Sequence, residues 1–359
     1  MTHTPTPHGD DRDTLIPHED RAEVLETPLA VLRASRLTPQ RVMFVRNSNP
    51  YPPGTDTLNP MPLTGALHVT GLVTSPLTVP LEHLPTFPYV QIESVSQCAG
   101  NGRAFYANAS GIDGCRWEKG AVANTLWGGA RLRDVLRSTR VLPGARFLTA
   151  TGADGTDPYE KSVPLPDALE HAILAYTLND EPLSGVHGGP VRLIMPGYYA
   201  TVNVKWLRRL TLTEHETTHE AQQQRYRVPD GRGGTRPCWR QAVKSIIWSP
   251  EAGEQRASGV IDVTGAAWTD GSTHVHRVDV SVDGGVTWTR ADLEACASTF
   301  AWRRWRARVM VVPGECVLMS RAIDASGRAQ PLDGDDSINP DGYEWNGVDR
   351  VTVTIDHEA

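Results

Sequence analysis

No run of apolar residues in this 359-residue sequence is long enough to cross a bilayer, so a membrane-spanning helix is excluded from it. Basic residues are in the minority, 35 Lys and Arg against 42 Asp and Glu, and a net charge of −7 argues against a nucleic-acid partner. That deficit leaves room for a local anion site. Cysteine is scarce. Cys98, Cys115, Cys238, Cys296 and Cys316 are odd in number and no pair has CxxC spacing, so neither a disulfide framework nor a zinc knuckle is indicated. Free thiols in a reducing compartment are the simplest account. The opening segment, Met1-Thr2-His3-Thr4-Pro5-Thr6-Pro7-His8, lacks a basic n-region, an apolar h-region and a twin arginine. The expected location is therefore cytoplasmic. Internal repeats and low-complexity blocks are also missing.

What is there is an ordinary globular composition, 39% hydrophobic and 21% charged, in a chain long enough for two or three domains with their own cores. The first 40 or so residues are rich in Pro, Thr, Asp and His and read as an arm with one short helix near residues 29–34. Apolar strand-like runs at 41–45, 66–73, 146–151 and 191–195 then alternate with helical periods at 131–137 and 166–176. That mixture predicts an α+β domain over residues 41–239. Apolar residues almost vanish between 213 and 241, which reads as a linker. Beyond it the pattern changes to period-two strands. Val278, Val280 and Val282 alternate with Asp279 and Ser281, and Asp283-Gly284-Gly285 is a reversal into Val286-Thr287-Trp288. With further strands at 260–267, 316–322 and 350–355, residues 240–359 are expected to form an all-β sandwich of immunoglobulin-like size.

The richest segment is Ser96-Gln97-Cys98-Ala99-Gly100-Asn101-Gly102-Arg103. Small residues let backbone approach a bulky ligand, a lone thiolate is a soft donor for a redox metal, and a guanidinium can grip an oxyanion. A lone cysteine is more often an inert buried residue, so the weight rests on its company. That company is Phe44-Val45-Arg46-Asn47, Trp117, Trp127-Gly128-Gly129-Ala130-Arg131-Leu132, His187-Gly188-Gly189-Pro190-Val191-Arg192, Pro196-Gly197 and Val204-Lys205-Trp206-Leu207. In this order and spacing they resemble the molybdenum domain of the sulfite oxidase family. The strands around Val278 and Phe300-Ala301-Trp302-Arg303-Arg304-Trp305 resemble that family's dimerisation domain. The resemblance runs from about residue 20 to the C-terminus.

It implies molybdenum held by the dithiolene of one molybdopterin and by one thiolate, in the place of Cys98. Sulfite oxidation removes two electrons and adds an oxygen, which side chains alone cannot do. The substrate arginines implied are Arg46, Arg103 and Arg303, the last contributed by the β-domain. Tyr226 takes the place of an active-site tyrosine and Trp117 that of a pocket wall. For the pterin and its phosphate the resemblance implies Phe44, Arg46, Asn47, Ser48, Asp154, His187, Arg192, Asn203 and Lys205. It also implies a homodimer and an external electron acceptor, a cytochrome or oxygen, since no haem domain precedes this stretch.

Ser48 stands where many members have His, Gly102 where animal and plant forms have a second Arg, and Val202 and Asn203 where animal forms have Arg and His. The expected activity is oxidation of sulfite to sulfate. The alternatives are a family member acting on nitrate or a sulfoxide, and a non-catalytic binding protein. One competing motif, His215-Glu216-Thr217-Thr218-His219, fits the HExxH pattern of zinc peptidases. The segment 214–224 is polar on every side apart from Ala221, unlike a buried zinc helix, and reads as solvated surface.

Overall fold

The computed structural model describes residues 14–18, 24–106, 111–333 and 341–357. Two five-stranded sheets organise the first two-thirds. In one, Tyr89–Gln97, Val122–Arg131 and Ile173–Leu178 run antiparallel in that order, and Arg192–Ile194 and Glu181–Pro182 both pair with Ile173–Leu178. In the other the order is Leu77–Pro80, Ala66–Gly71, Arg209–Thr213, Phe147–Thr151, Glu160–Pro164, with one parallel pairing, Ala66–Gly71 beside Arg209–Thr213. Leu67, Leu132, Leu148, Leu174 and Leu210 share one core and are 0% exposed. Burying each leucine stabilises the fold by roughly 1.5–3 kcal/mol.

The helix expected near residues 29–34 forms as Leu29–Ala34. It is no free arm, because Leu32 is fully buried against Trp248 and Trp268 and the strand Val24–Glu26 pairs with Val45–Arg46. Residues 1–13 of that arm lie outside the described residues. Leu132, Val135 and Leu136 are the buried face of the helix Leu132–Leu136, as their spacing predicts. The helical expectation at 166–176 holds only as Leu165–His171. Ala172 turns extended, and Ile173–Leu178 is a strand, where sheet neighbours on both sides override a weak helical period. At 41–45 a 3-10 turn, Gln40–Val42, replaces most of the expected strand.

The expected linker is structured. A short helix, Glu220–Gln223, lies against the second sheet, and the hairpin Arg227–Pro229 with Thr235–Pro237 packs Val228 among Ala99, Tyr199 and Tyr226. Buried polar groups hold the helix there: Lys161 Nζ donates to Ala221 O at 2.6 Å, and Gln222, 0% exposed, accepts from Ser162 N at 3.3 Å. Satisfied polar burial leaves no apolar signal in the sequence.

The C-terminal third is a β-sandwich. One sheet is Lys244–Ser249, Gly259–Trp268, Arg303–Val311, Asp292–Leu293; the other is Gln255–Ala257, Asp349–Asp356, Gly314–Asp324, Val275–Ser281, Thr289–Arg290. Trp305, Ala307, Val309 and Val311 point inward while Arg306, Arg308 and Met310 point out, the period of a half-buried strand. Val278 and Val280 are buried as expected, and Asp279 is buried too, since Arg277 reaches its carboxylate at 3.0 Å.

The sandwich is sewn to the first region by polar groups. Trp268 Nε1 donates to Gln97 Oε1 at 2.9 Å, and Lys119 pairs with Asp349 at 2.8 Å. Lys244 Nζ donates to Asn101 O at 3.0 Å and Trp345 O at 2.9 Å. Burial pulls the Lys244 ammonium down to about 7, with Asp349 opposing. Unfolded, that lysine titrates near its ordinary value, so from pH 7 upward the unfolded chain binds the extra proton and stability rises with pH. The cost of burying the charge is fully present below pH 7 and is relieved toward pH 10. Urea unfolding at pH 7 and pH 9 is expected to show this rise, and Lys244→Met is expected to flatten it. An unchanged slope in Lys244→Met would assign the effect elsewhere.

Candidate active site

The ladder between Tyr89–Gln97 and Val122–Arg131 ends at the pair Gln97 and Val122, and the next residue, Cys98, opens a tight turn. Cys98 N donates to Ala121 O at 2.9 Å, and Asn101 N to Cys98 O at 3.0 Å. Asn101 is fully buried and accepts from Ala121 N at 3.1 Å, so its side chain fixes the turn against the neighbouring strand. The Cys98 thiol is free and only 8% exposed.

Cys98 lines a cavity that opens to solvent. Around it stand Phe44, Arg46, Asn47, Ser48, Asp154, His187, Arg192, Asn203, Lys205 and Tyr226, which the sequence had scattered over nearly 180 positions. Three short segments deliver most of them. The strand Val45–Arg46 leads into Asn47 and Ser48; residues 187–192 bring His187 and Arg192; residues 203–206 bring Asn203, Lys205 and Trp206. Gly188 permits this convergence, because a Cβ there would lie 2.7 Å from Lys205 Cβ, in a backbone of φ +96°.

Each polar side chain has a defined duty. Lys205 Nζ donates to Asn47 Oδ1 at 2.6 Å and to Val186 O at 2.8 Å. Arg192 donates to Asn203 O at 2.9 Å and His187 O at 3.1 Å, and packs over the Trp127 ring. His187 Nε2 donates to Gln40 O at 2.8 Å, which leaves Nδ1 as an acceptor in the neutral ring. Burial, then Lys205 and Arg192, hold His187 well below its usual value, so it is neutral at pH 7. Burial alone lowers Arg192 to about 9. Burial, with Arg192 and Arg46 adding to it and Asp154 opposing, pulls Lys205 well down. Asp154 is raised, chiefly by burial, and accepts from Tyr159 N at 3.2 Å. Tyr226 has φ 54° and shares a hydrogen bond of 3.1 Å with Ser48 Oγ.

Three expected site residues stand elsewhere. Arg303 is not at the cavity. Its guanidinium donates to Glu294 O at 2.9 Å and Val275 O at 3.0 Å, because Arg303–Val311 is an inner strand of the sandwich and backbone carbonyls of neighbouring segments close over its first residue. Arg103 sits beneath the Cys98 turn, donating to Cys115 O at 2.7 Å and Asp341 O at 3.1 Å, and does not line the cavity. Trp117, 1% exposed, lies one layer behind the wall, edge-on to Phe44 at 6.5 Å. Tyr159, Thr201 and Trp206 line the cavity and were missed. Trp206 had been only a spacing marker, and Tyr159, donating to Thr201 O at 2.9 Å, follows a turn-rich stretch with no chemical signature. The HExxH segment is not helical: His219 caps Glu220–Gln223 through Nδ1, and Glu216 accepts from Gln222.

Comparison with known proteins follows the same lines. A family model described as oxidoreductase molybdopterin binding domain matches residues 59–221, and one described as Mo-co oxidoreductase dimerisation domain matches 236–356. Sulfite oxidase of Gallus gallus is 33% identical over 89% of this chain and 72% of its own length. The chain belongs to the sulfite oxidase family. The mitochondrial sulfite oxidase of Mus musculus is 33% identical over 92% of the chain, and the chain spans 64% of the mouse protein's length. The sulfane dehydrogenase SoxCD of Paracoccus pantotrophus has the same architecture, with a TM-score of 0.78 at 29% identity, covering 92% of this chain and 84% of that one.

Membership of the sulfite oxidase family implies a molybdenum cofactor carried by molybdopterin, and the cavity suits one. Arg46, Arg192 and Lys205 make no ion pair with a carboxylate among the described residues. Buried cations without acids are costly unless an anion joins them, and the pterin carries a phosphate. Asn47 Nδ2 and Thr201 Oγ1 are buried without a partner and line the same space, which suits the many acceptors of a pterin ring. Cys98 supplies the one thiol among the lining residues, a soft donor once deprotonated. No helix among the described residues is long and apolar enough to cross a membrane.

Proposed function

We propose that this protein oxidises sulfite to sulfate, using molybdenum bound by Cys98 and by the dithiolene of a single molybdopterin. One observation carries the reading: a thiol opens into a cavity whose cations have no acidic partners among the described residues. The cofactor supplies oxygen transfer and storage of two electrons. The balance is sulfite plus water giving sulfate, two protons and two electrons, the electrons leaving to an external acceptor such as a cytochrome or oxygen. Arg46 and Tyr226, which line the cavity with Cys98, are positioned to hold the dianion by a charged and a neutral donor. Arg192, Lys205, Asn47 and His187 would hold the phosphate and ring, with Phe44, Ser48, Asp154 and Asn203 completing the lining. We divide the chain into an N-terminal segment to residue 40, a catalytic domain over 41–239 and a sandwich over 240–359 through which two copies pair.

Metal and pterin analysis beside a sulfite assay with ferricyanide tests this. About one molybdenum per chain and sulfite-dependent reduction are expected. Stoichiometric zinc without molybdenum would overturn it. If Arg46 grips the dianion, Arg46→Gln is expected to raise the sulfite KM by roughly 10- to 150-fold, the equivalent of about 1.5–3 kcal/mol for a charge-assisted hydrogen bond. Arg303→Gln is expected to leave it within about twofold, since its guanidinium is spent on backbone carbonyls. A larger effect at Arg303 than at Arg46 would mean that the anion binds elsewhere.

A further inference from the structure

The loop 341–345 of the sandwich is pinned directly onto the Cys98 turn. Glu344 N donates to Ala99 O at 2.8 Å, Arg103 Nε to Asp341 O at 3.1 Å, and Tyr106 Oη to Tyr343 O at 2.7 Å. A fourth clamp, between Arg236 and the Glu344 carboxylate, uses both guanidinium nitrogens, at 3.1 and 2.7 Å. Gly342 lies so close that a Cβ there would stand 2.8 Å from Arg103 Cγ.

This clamped loop carries one side chain between two groups near the cavity. The Tyr343 ring lies 5.1 Å from the Arg103 guanidinium carbon and 5.3 Å from the Tyr226 ring. Arg103 is 5% exposed and its hydrogen bonds among the described residues go to carbonyls, so no carboxylate there neutralises its charge, and it packs against the turn that bears Cys98, where a Cβ on Gly100 would come within 2.8 Å of Nη2. A guanidinium held by carbonyls at its edge still needs its plane fixed, and an aromatic face does that.

We propose that Tyr343 is a positioning residue for the anion site: its ring, reaching in from the sandwich, orients Tyr226 at the cavity and fixes the plane of Arg103 behind the turn that bears Cys98. The sandwich thus acts on the catalytic cavity, through Tyr343 where the sequence had pointed to Arg303. Its occupant is a small oxyanion, taken as sulfite only as far as the reading above holds.

The test uses the purified holoenzyme, with sulfate alone as the binding probe in calorimetry and sulfite as substrate. Tyr343→Leu is expected to weaken sulfate binding and raise the sulfite KM by about 5- to 10-fold, with kcat and molybdenum content within about twofold. Tyr343→Phe, which keeps the ring, is expected to restore both to within about twofold of the parent. In an Arg103→Gln background, Tyr343→Leu is expected to lose less than it does in the parent, because the part that acts through Arg103 is already gone and only the part through Tyr226 remains. The inference is overturned if the parent binds no sulfate, if Tyr343→Leu keeps full affinity, if Tyr343→Phe loses as much as Tyr343→Leu, or if the losses multiply in the double variant. A parent that binds sulfate yet does not oxidise sulfite would defeat the proposed reaction, while the sulfate comparison would still decide the role of Tyr343.

Discussion

Cys98→Ser is expected to lower sulfite turnover by well over 100-fold while the chain stays folded. Altering a group that merely orients a metal ligand costs about 10- to 100-fold, so replacing the proposed ligand itself should cost more. The exchange is nearly isosteric and the site is 8% exposed, so packing changes little. What changes is the donor. A thiol ionises near neutral pH and is soft, whereas a hydroxyl stays protonated and is hard. Turnover, molybdenum content and thermal unfolding measured on one preparation separate the two effects. Wild-type turnover in Cys98→Ser would end the proposal that Cys98 binds the metal. The same measurements on His215→Ala are expected to match the parent, since residues 215–219 form no helix that could present zinc ligands.

The parts of this molecule legible in its sequence are those where burial follows period. Leu132, Val135 and Leu136 announced a helix face, and the valines at 278 and 280 announced a strand, although Asp279 and Ser281, expected to face outward, are buried as well. Groups that are buried by hydrogen bonding gave no such signal, which is why the segment around Gln222 and Tyr226 passed for a linker. The cavity lining was legible where short motifs carried it, at 44–48, 98 and 187–192. It failed at Arg303, whose strand supplies no lining residue: its guanidinium goes to Glu294 O and Val275 O, and that of Arg304 on the other face goes to Arg33 O. Tyr343 was out of reach for a different reason. It stands in a Gly-containing loop more than 100 residues from its neighbours in space, and only tertiary contact gives it meaning.

The cations of the cavity lead to the second large effect. Lys205 and Arg192 are buried with only neutral acceptors, and burial depresses both. Such charges destabilise the fold until an anion arrives, so the same residues should oppose folding without cofactor and favour its binding. Lys205→Met is therefore expected to act with opposite signs on two observables. Cofactor-free protein, produced in a host that makes no pterin, should unfold at a higher temperature in the variant than in the parent, because an uncompensated ammonium has been replaced by a chain of similar length. Cofactor retention should fall by roughly 10- to 150-fold in affinity, the loss of one charge-assisted hydrogen bond worth about 1.5–3 kcal/mol. Its Asn47 partner makes the loss larger, since Asn47 Oδ1 would then lack its 2.6 Å donor beside an Nδ2 that already lacks an acceptor. Pterin fluorescence after gel filtration and calorimetric unfolding of the cofactor-free form give the two readouts. A variant that loses stability and cofactor together would mark Lys205 as a structural residue, and one that keeps the cofactor in full would place the phosphate outside this cluster.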